Sequence, residues 1–168
     1  MTTETSSPRV VLVTGGSRGI GLACARHFAA LGDHVAVTYN SSPPPGEFFA
    51  VKCDVTNTED VDNAFKAIEE KFGPVQIIVS NAGITRDGLL MRMSEEQWDE
   101  VMTVNLKSMF LCSRAVVSDM EKQKWGRIIN ISSVTFLSGQ RNLIDYVSAK
   151  GGVVGFSRTL AREVGSDF

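Results

Sequence analysis

The 168-residue sequence is poor in cysteine and histidine, and each shortage closes off a class of chemistry. Its three cysteines, Cys24, Cys53 and Cys112, lie far apart and form no CxxC pair. Neither a disulfide framework nor a zinc site is indicated, and free thiols in a reducing cytosol are expected. The two histidines, His27 and His34, both follow closely on the glycine-rich stretch Gly15-Gly16-Ser17-Arg18-Gly19, which matches the GxSxG nucleophile elbow of serine hydrolases. That fold needs the order serine, acid, histidine, and no histidine stands late enough to complete it. Charge of one sign is also missing: 17 Lys and Arg face 19 Asp and Glu, a net charge of −2. With no block of like charge, nothing points to nucleic acid or a membrane surface. No apolar run reaches the length of a signal segment or a membrane span.

What is present is the composition of an ordinary globular domain, 43% hydrophobic and 21% charged. Residues 1–9 read as a loose cytosolic leader and residues 10–168 as a single nucleotide-binding domain with no internal repeat. Short β-branched runs at Val10–Val13, Val35–Thr38, Phe48–Cys53, Val75–Ser80 and Arg127–Ser132 predict strands, apolar on both faces. Such strands belong to a parallel sheet covered by helices on both sides. Helical spacing runs over Gly19–Leu31, Thr58–Phe72, Ser94–Gln123 and Asp145–Val164, with caps expected at Thr58 and Ser94 and stops at Gly32, Gly73-Pro74 and Gly126. The stretch from Asn40 through Pro43-Pro44-Pro45 to Gly46 is too short and proline-rich for a helix and predicts a tight surface loop. The alternation specifies an open, doubly wound α/β sheet of Rossmann type, with ligands bound at the carboxyl ends of the strands.

The first strand runs straight into Thr14-Gly15-Gly16-Ser17-Arg18-Gly19-Ile20-Gly21, and a helix follows. Glycines alone would indicate no more than a tight turn. Placed between a strand and a helix they let the backbone approach a pyrophosphate, while the helix start offers free N–H groups and a positive dipole end. Later, Tyr146 and Lys150 share one helix face a turn apart, and an ammonium beside a phenol favours the phenolate. That shift brings a group of ordinary pKa near 10 toward a useful proton donor and acceptor. Taken alone, the pair is equally an aromatic and a cation on a surface helix. Ser132-Ser133 ends the fifth strand, where a hydroxyl can hold a substrate carbonyl or merely cap a turn. Asn105, inside a helical run, is mildly unfavourable there and wants a specific partner.

Together, TGGSRGIG (14–21), CDVT (53–56), SNAGI (80–84), Asn105, NISSV (130–134) and YVSAK (146–150) resemble the short-chain dehydrogenase/reductase family. Within it, GITRDGLLMRM (83–93) and GRIINISSV (126–134) are most similar to the 3-oxoacyl-(acyl-carrier-protein) reductases of fatty-acid synthesis. The resemblance implies Tyr146 as general acid/base, Lys150 lowering its pKa and holding the nicotinamide ribose, Ser133 polarising the carbonyl, and Asn105 anchoring a relay water. Ser133 is preferred to Ser132 by its register to Tyr146. It further implies Gly15, Ser17, Arg18, Gly19, Ile20 and Gly21 around the cofactor phosphates, Asp54 and Val55 at the adenine, and Asn81, Ala82 and Gly83 at its ribose side.

The second strand ends Thr38-Tyr39-Asn40 with no acid to repel a 2′-phosphate, and Arg18 supplies a cation that can pair with one, so NADPH is expected over NADH. SNAG stands where the family usually has NNAG. The sequence ends at Phe168, whereas family members continue through two further strands and a substrate-covering segment. The expected activity is reduction of a 3-oxoacyl thioester on acyl carrier protein, with Lys122, Lys124 and Arg127 as candidate docking cations. Alternatives are another ketone substrate or an inactive nucleotide-binding scaffold. Self-association as a dimer or tetramer through the two long helical segments is expected, with a cytoplasmic location, no metal, no nucleic acid and no membrane.

Overall fold

A computed structural model describes residues 7–165. Residues 1–6 of the expected leader and 166–168 of the expected domain lie outside this range. Five parallel strands, β1 (Val10–Val13), β2 (His34–Tyr39), β3 (Phe49–Lys52), β4 (Ile77–Ser80) and β5 (Arg127–Asn130), form one sheet in the order β3-β2-β1-β4-β5. Around it lie α1 (Gly19–Ala30), α2 (Thr58–Phe72), α3 (Glu95–Met102), α4 (Ser108–Gln123), α5 (Thr135–Ser138) and α6 (Ile144–Val164). The chain works outward from β1 to β3, then returns through α2 to place β4 on the other side of β1. That reversal opens a crevice at the carboxyl ends of β1 and β4, the position where doubly wound sheets bind ligands.

Successive strand residues point to opposite faces, and both faces are filled. Leu12, Ala36 and Ile78 pack with Val61, Ala64 and Ile68 of α2 and Leu111, Val116 and Met120 of α4. Val11, Val13, Val37, Ile77 and Val79 pack on the opposite side with Ala25 of α1. The expectation of strands apolar and buried on both faces holds for β1 and β4. It fails for the outermost strands: β3 is only half-buried, and in β5 Arg127 is exposed and Ile129 is 41% exposed. An outer strand has a neighbour on one side only, so fewer helix side chains reach it.

Several local expectations need correction. α2 is capped by Asn57, whose side chain accepts the Asp60 N–H at 3.1 Å, and not by Thr58. Ser94 does cap α3, in a reciprocal box with Gln97. The single long helix expected over Ser94–Gln123 is α3 and α4 joined through a π-helical turn at Thr103–Lys107. α4 ends at Lys124, itself in the left-handed conformation at φ 56°, rather than at Gly126. A Cβ at Gly126 would lie 2.3 Å from Met120, so that glycine makes room for the core. The proline loop between β2 and β3 has no helix, as expected, and Arg26 of α1 pairs with Glu47 at 2.9 Å to hold its end.

Arg9, placed in the leader from sequence, is anchored to the fold. Its Nε and Nη2 donate to the two oxygens of Asp33 at 2.9 and 2.6 Å, and its N–H donates to the same carboxylate at 3.1 Å. These bonds hold the Asp33 carboxyl below its ordinary value. A depressed folded pKa stabilises the fold above the unfolded value and loses that stabilisation as pH falls through the folded one. Asp33→Asn is therefore expected to lower Tm by about 2–4 °C at pH 7, a cost of about 1 kcal/mol. Thermal melts of both proteins should converge as pH drops below about 4.

Candidate active site

The crevice starts with the turn out of β1. Gly15 takes φ +63°, which glycine adopts without strain, and Gly21 lies so close beneath it that a Cβ there would meet the Gly15 carbonyl oxygen at 2.4 Å. The loop is fixed from β4. Thr14 Oγ1 accepts the N–H groups of Asn81 and Ala82 at 3.0 and 3.1 Å, and Asn81 Nδ2 donates to the carbonyls of Thr14 and Gly15, each at 3.1 Å. α1 then begins after Arg18 with no side-chain cap and no acid in its first turn, leaving its leading N–H groups and positive dipole end unanswered.

The resulting crevice has a volume of about 810 Å³. Its walls include Gly15, Ser17, Arg18, Gly19, Ile20, Asp54, Val55, Asn81, Ala82 and Gly83, the residues assigned from sequence to the phosphate and adenine ends. Gly21, grouped with them, lies under the loop and not in the wall. Asn81 lines the crevice, but its amide N–H groups are engaged by the loop, so its part is to rivet the floor. The crevice fits a nucleotide on two further counts. Thr38 in its wall is 2% exposed and its hydroxyl has no partner among the described residues, and the apolar Ile20, also lining it, is 65% exposed.

The expected catalytic residues gather where β5 meets α6. Lys150 is 3% exposed and its Nζ donates to the Ile131 carbonyl at 2.6 Å. The same ammonium lies 5.6 Å from the centre of the half-buried Tyr146 ring. Burial draws the Lys150 pKa below its ordinary value. Ser132 Oγ donates to the Lys150 carbonyl at 2.9 Å and is thereby engaged in the frame. Among the described residues the Ser133 hydroxyl bonds only to its neighbour Thr135, 2.9 Å between hydroxyls and 3.3 Å to the Thr135 N–H, so it keeps capacity for another group. Val134 and Leu137 beside it are 79% and 76% exposed, and the site is open on this side. Tyr146, Lys150 and Ser133 consequently stand outside the walls of the enclosed crevice.

Asn105 sits in the π-helical turn, fully buried, and its amide is paired in both directions with Ile84, accepting N–H and donating to C=O at 2.8 Å each. A Cβ at Gly83 would lie 2.9 Å from its Oδ1, so SNAG needs its glycine for this approach. The side chain thus holds the loop after β4. Any water at this turn would have to be held by another of its groups. Sequence reasoning missed Asp145. It is fully buried, its Oδ1 accepts the Tyr146 N–H at 2.7 Å, and its other oxygen has no partner among the described residues. α6 follows Leu143, which cannot cap, so Asp145 is the acid that answers the first turn. An acid one residue inside a helix start was the available signal.

A family model described as short chain dehydrogenase matches residues 9–167. The chain belongs to this family. Similar curated relatives of the short-chain dehydrogenases include the 3-oxoacyl-(acyl-carrier-protein) reductase MabA of Mycobacterium tuberculosis strain H37Rv, 47% identical over 93% of this chain and 63% of the relative. A reductase of the same description from Synechocystis is 45% identical over 94% of the chain and 69% of its own length. The FabG reductase of Escherichia coli K12 is 42% identical over 94% and 68%. The chain spans about 63% of the length of the mycobacterial relatives. Short-chain dehydrogenases are oxidoreductases that use a nicotinamide cofactor. Among the described residues no helix is long and apolar enough to cross a membrane, and no group of His, Cys, Asp and Glu could hold a metal ion.

Lys150 makes a testable contribution to stability. With its folded pKa depressed, the folded state holds fewer protons than the unfolded one between the two values, so stability rises with pH through that window. Lys150→Met should leave Tm at pH 7 unchanged or higher, since an apolar side chain of similar size removes the desolvation penalty. Melts from pH 7 toward about 10 should show wild type gaining on the variant as the unfolded pKa near 10.4 is approached.

Proposed function

We propose that this chain is the nucleotide-binding and catalytic part of a cytosolic, NADPH-dependent reductase of 3-oxoacyl thioesters carried on acyl carrier protein, acting in fatty-acid synthesis. The observation that carries the reading is the buried Lys150 ammonium within 5.6 Å of the Tyr146 ring, at the end of β5 and beside a crevice suited to a dinucleotide. The names and sequence similarity of the mycobacterial, cyanobacterial and enterobacterial relatives support the substrate class.

When bound in the crevice, the dinucleotide would supply the hydride that a 3-oxo carbon accepts. The Ser133 hydroxyl donates a hydrogen bond to the carbonyl oxygen and orients it. As the carbon–oxygen double bond becomes single, Tyr146 transfers its phenolic proton to that oxygen, leaving a phenolate and a 3-hydroxyl. Lys150 lowers the cost of the phenolate by its positive charge, and Ile131 C=O fixes the ammonium in place. Asn105 maintains the loop beside the crevice through Ile84, and Asp145 holds the Tyr146 backbone. Arg18 pairs with the 2′-phosphate, while the uncapped N–H groups of α1 receive the pyrophosphate.

Lys124 at the left-handed turn and Arg127, over the Trp125 ring at 4.9 Å, stand at the amino end of β5, and Lys122 is paired with Asp119 at 2.7 Å, so the cations expected to dock the acidic carrier lie away from the crevice at the carboxyl ends. An apolar groove of about 470 Å³ between Met102, Leu106 and Phe110 on one side and Gly152 and Phe156 of α6 on the other supports self-association through these helices.

NADPH oxidation with an acetoacetyl thioester, measured on the full-length natural protein, tests the reading. Tyr146→Phe is expected to cut kcat about 10²- to 10⁴-fold with NADPH affinity retained. Tight NADPH binding by wild type without turnover on any ketone would identify a scaffold instead. Arg18→Ala should reduce the ratio of NADPH to NADH efficiency about tenfold through loss of a charge-assisted contact, and an unchanged ratio would remove the argument for NADPH.

A further inference from the structure

The crevice is also lined by Arg86 and Glu100, together with Ile84 and Val104. We propose that Arg86 is a cofactor-positioning residue that lays the flat face of its guanidinium over the adenine base, with Glu100 as its holder. This rests on the reading of the crevice as a dinucleotide site and adds a residue to it.

The guanidinium is held by three bonds. Nε and Nη2 donate to the two carboxylate oxygens of Glu100 at 2.8 and 2.6 Å, and Nη1 donates to the Thr85 carbonyl at 3.0 Å. A paired fork of this kind brings guanidinium and carboxylate toward one plane, so the edge is engaged and the faces are left open. A flat, delocalised cation offers such a face to an aromatic ring. Asp54 and Val55, which follow β3 and are assigned from sequence to the adenine, line the same crevice. The positive charge is largely answered by Glu100, which makes Arg86 a poor partner for a phosphate. Arg18, at the other end of the crevice, has no ion-pair partner among the described residues and is the phosphate cation.

The arrangement is also preorganised. Glu100 lies in α3, which continues into the π-helical turn carrying Asn105. Asn105 fixes Ile84 through both of its backbone polar groups, and Glu100 fixes Arg86 two residues further on. The loop after β4 is thus riveted to one helical unit at two points, so little ordering remains when a base binds. Stability does not explain the pair. The Arg86 and Glu100 side chains are 41% and 45% exposed, and an ion pair so exposed adds little to folding.

Calorimetric titration of the full-length protein with four probes tests the assignment: NADPH, adenosine 5′-monophosphate, adenosine 2′,5′-bisphosphate and reduced nicotinamide mononucleotide. Arg86→Ala is expected to weaken the three adenine-containing probes by one common factor, about 5- to 30-fold, and to leave the mononucleotide unchanged. Arg86→Lys should not rescue, because it restores charge without the plane. Glu100→Gln should show a smaller loss in the same three probes. Melting temperatures should stay within about 2 °C of wild type, as for other exposed ion pairs. Unchanged binding of adenosine monophosphate by Arg86→Ala would overturn the assignment. So would a loss confined to the 2′,5′-bisphosphate, which would make Arg86 a phosphate ligand, or an equal loss for the mononucleotide, which would mean local collapse. Wild type that binds no adenine nucleotide would overturn the dinucleotide reading itself, an outcome separable from a failure of the variant alone.

Discussion

The hold of α6 on the end of β5 is the constraint that makes a site of otherwise ordinary side chains. Lys150 supplies both halves of it: its ammonium donates to the Ile131 carbonyl, and its own carbonyl receives the Ser132 hydroxyl. Further along the helix, Asn130 reaches Ser157 at 2.9 Å. These contacts fix the axial position of a 21-residue helix against the strand. Tyr146, one turn before Lys150, is therefore set relative to Ser133 by the frame and not by its own packing. A buried ammonium is expensive unless it is partnered, so the fold keeps it only with a carbonyl aimed at it.

A second constraint acts at the crevice. The glycine loop, the end of β4 and the π-helical turn are linked in series, Thr14 and Gly15 to Asn81, then Ile84 to Asn105. Each link is a side chain bonded to backbone, which transmits position with little freedom. The π-helical turn is the compromise that lets Asn105 reach across. Asn105 stands in that turn and its amide spans to the Ile84 N–H and C=O. Phosphate-end geometry and loop geometry are in this way joined through two asparagines.

The parts legible in the sequence were those with short-range physics. Periodicity placed the five strands and the main helices, because a sheet buried on both faces and helices with one apolar side each leave a regular pattern. The glycine loop was legible because its spacing is a local steric requirement. Asn105 was recognised as an oddity in a helix, but not its partner, since Ile84 lies 21 residues away. The break in the long helix was invisible for the same reason: the partner that stabilises the π-helical turn is remote. Lys124 ends α4 in a conformation that favours glycine, and nothing local in the sequence marks it. Arg9 looked like leader because its contact, Asp33, is 24 residues on. Asp145 was read as the start of a helical segment, and its burial depends on the packing of α6.

The buried polar atoms left without partners separate scaffold from site. Among the described residues these are the hydroxyls of Ser80, Ser113 and Thr38 in the crevice wall, the Asn130 amide oxygen, and one carboxylate oxygen of Asp145 beside Tyr146. Each unanswered group costs stability that a hydrophobic residue of like size would not. In β1 the same sheet is wholly hydrophobic, so the polar residues are not there for lack of alternatives. A protein tolerates that cost where the group has work in a bound or reacting state, and two of the five flank the crevice and the tyrosine.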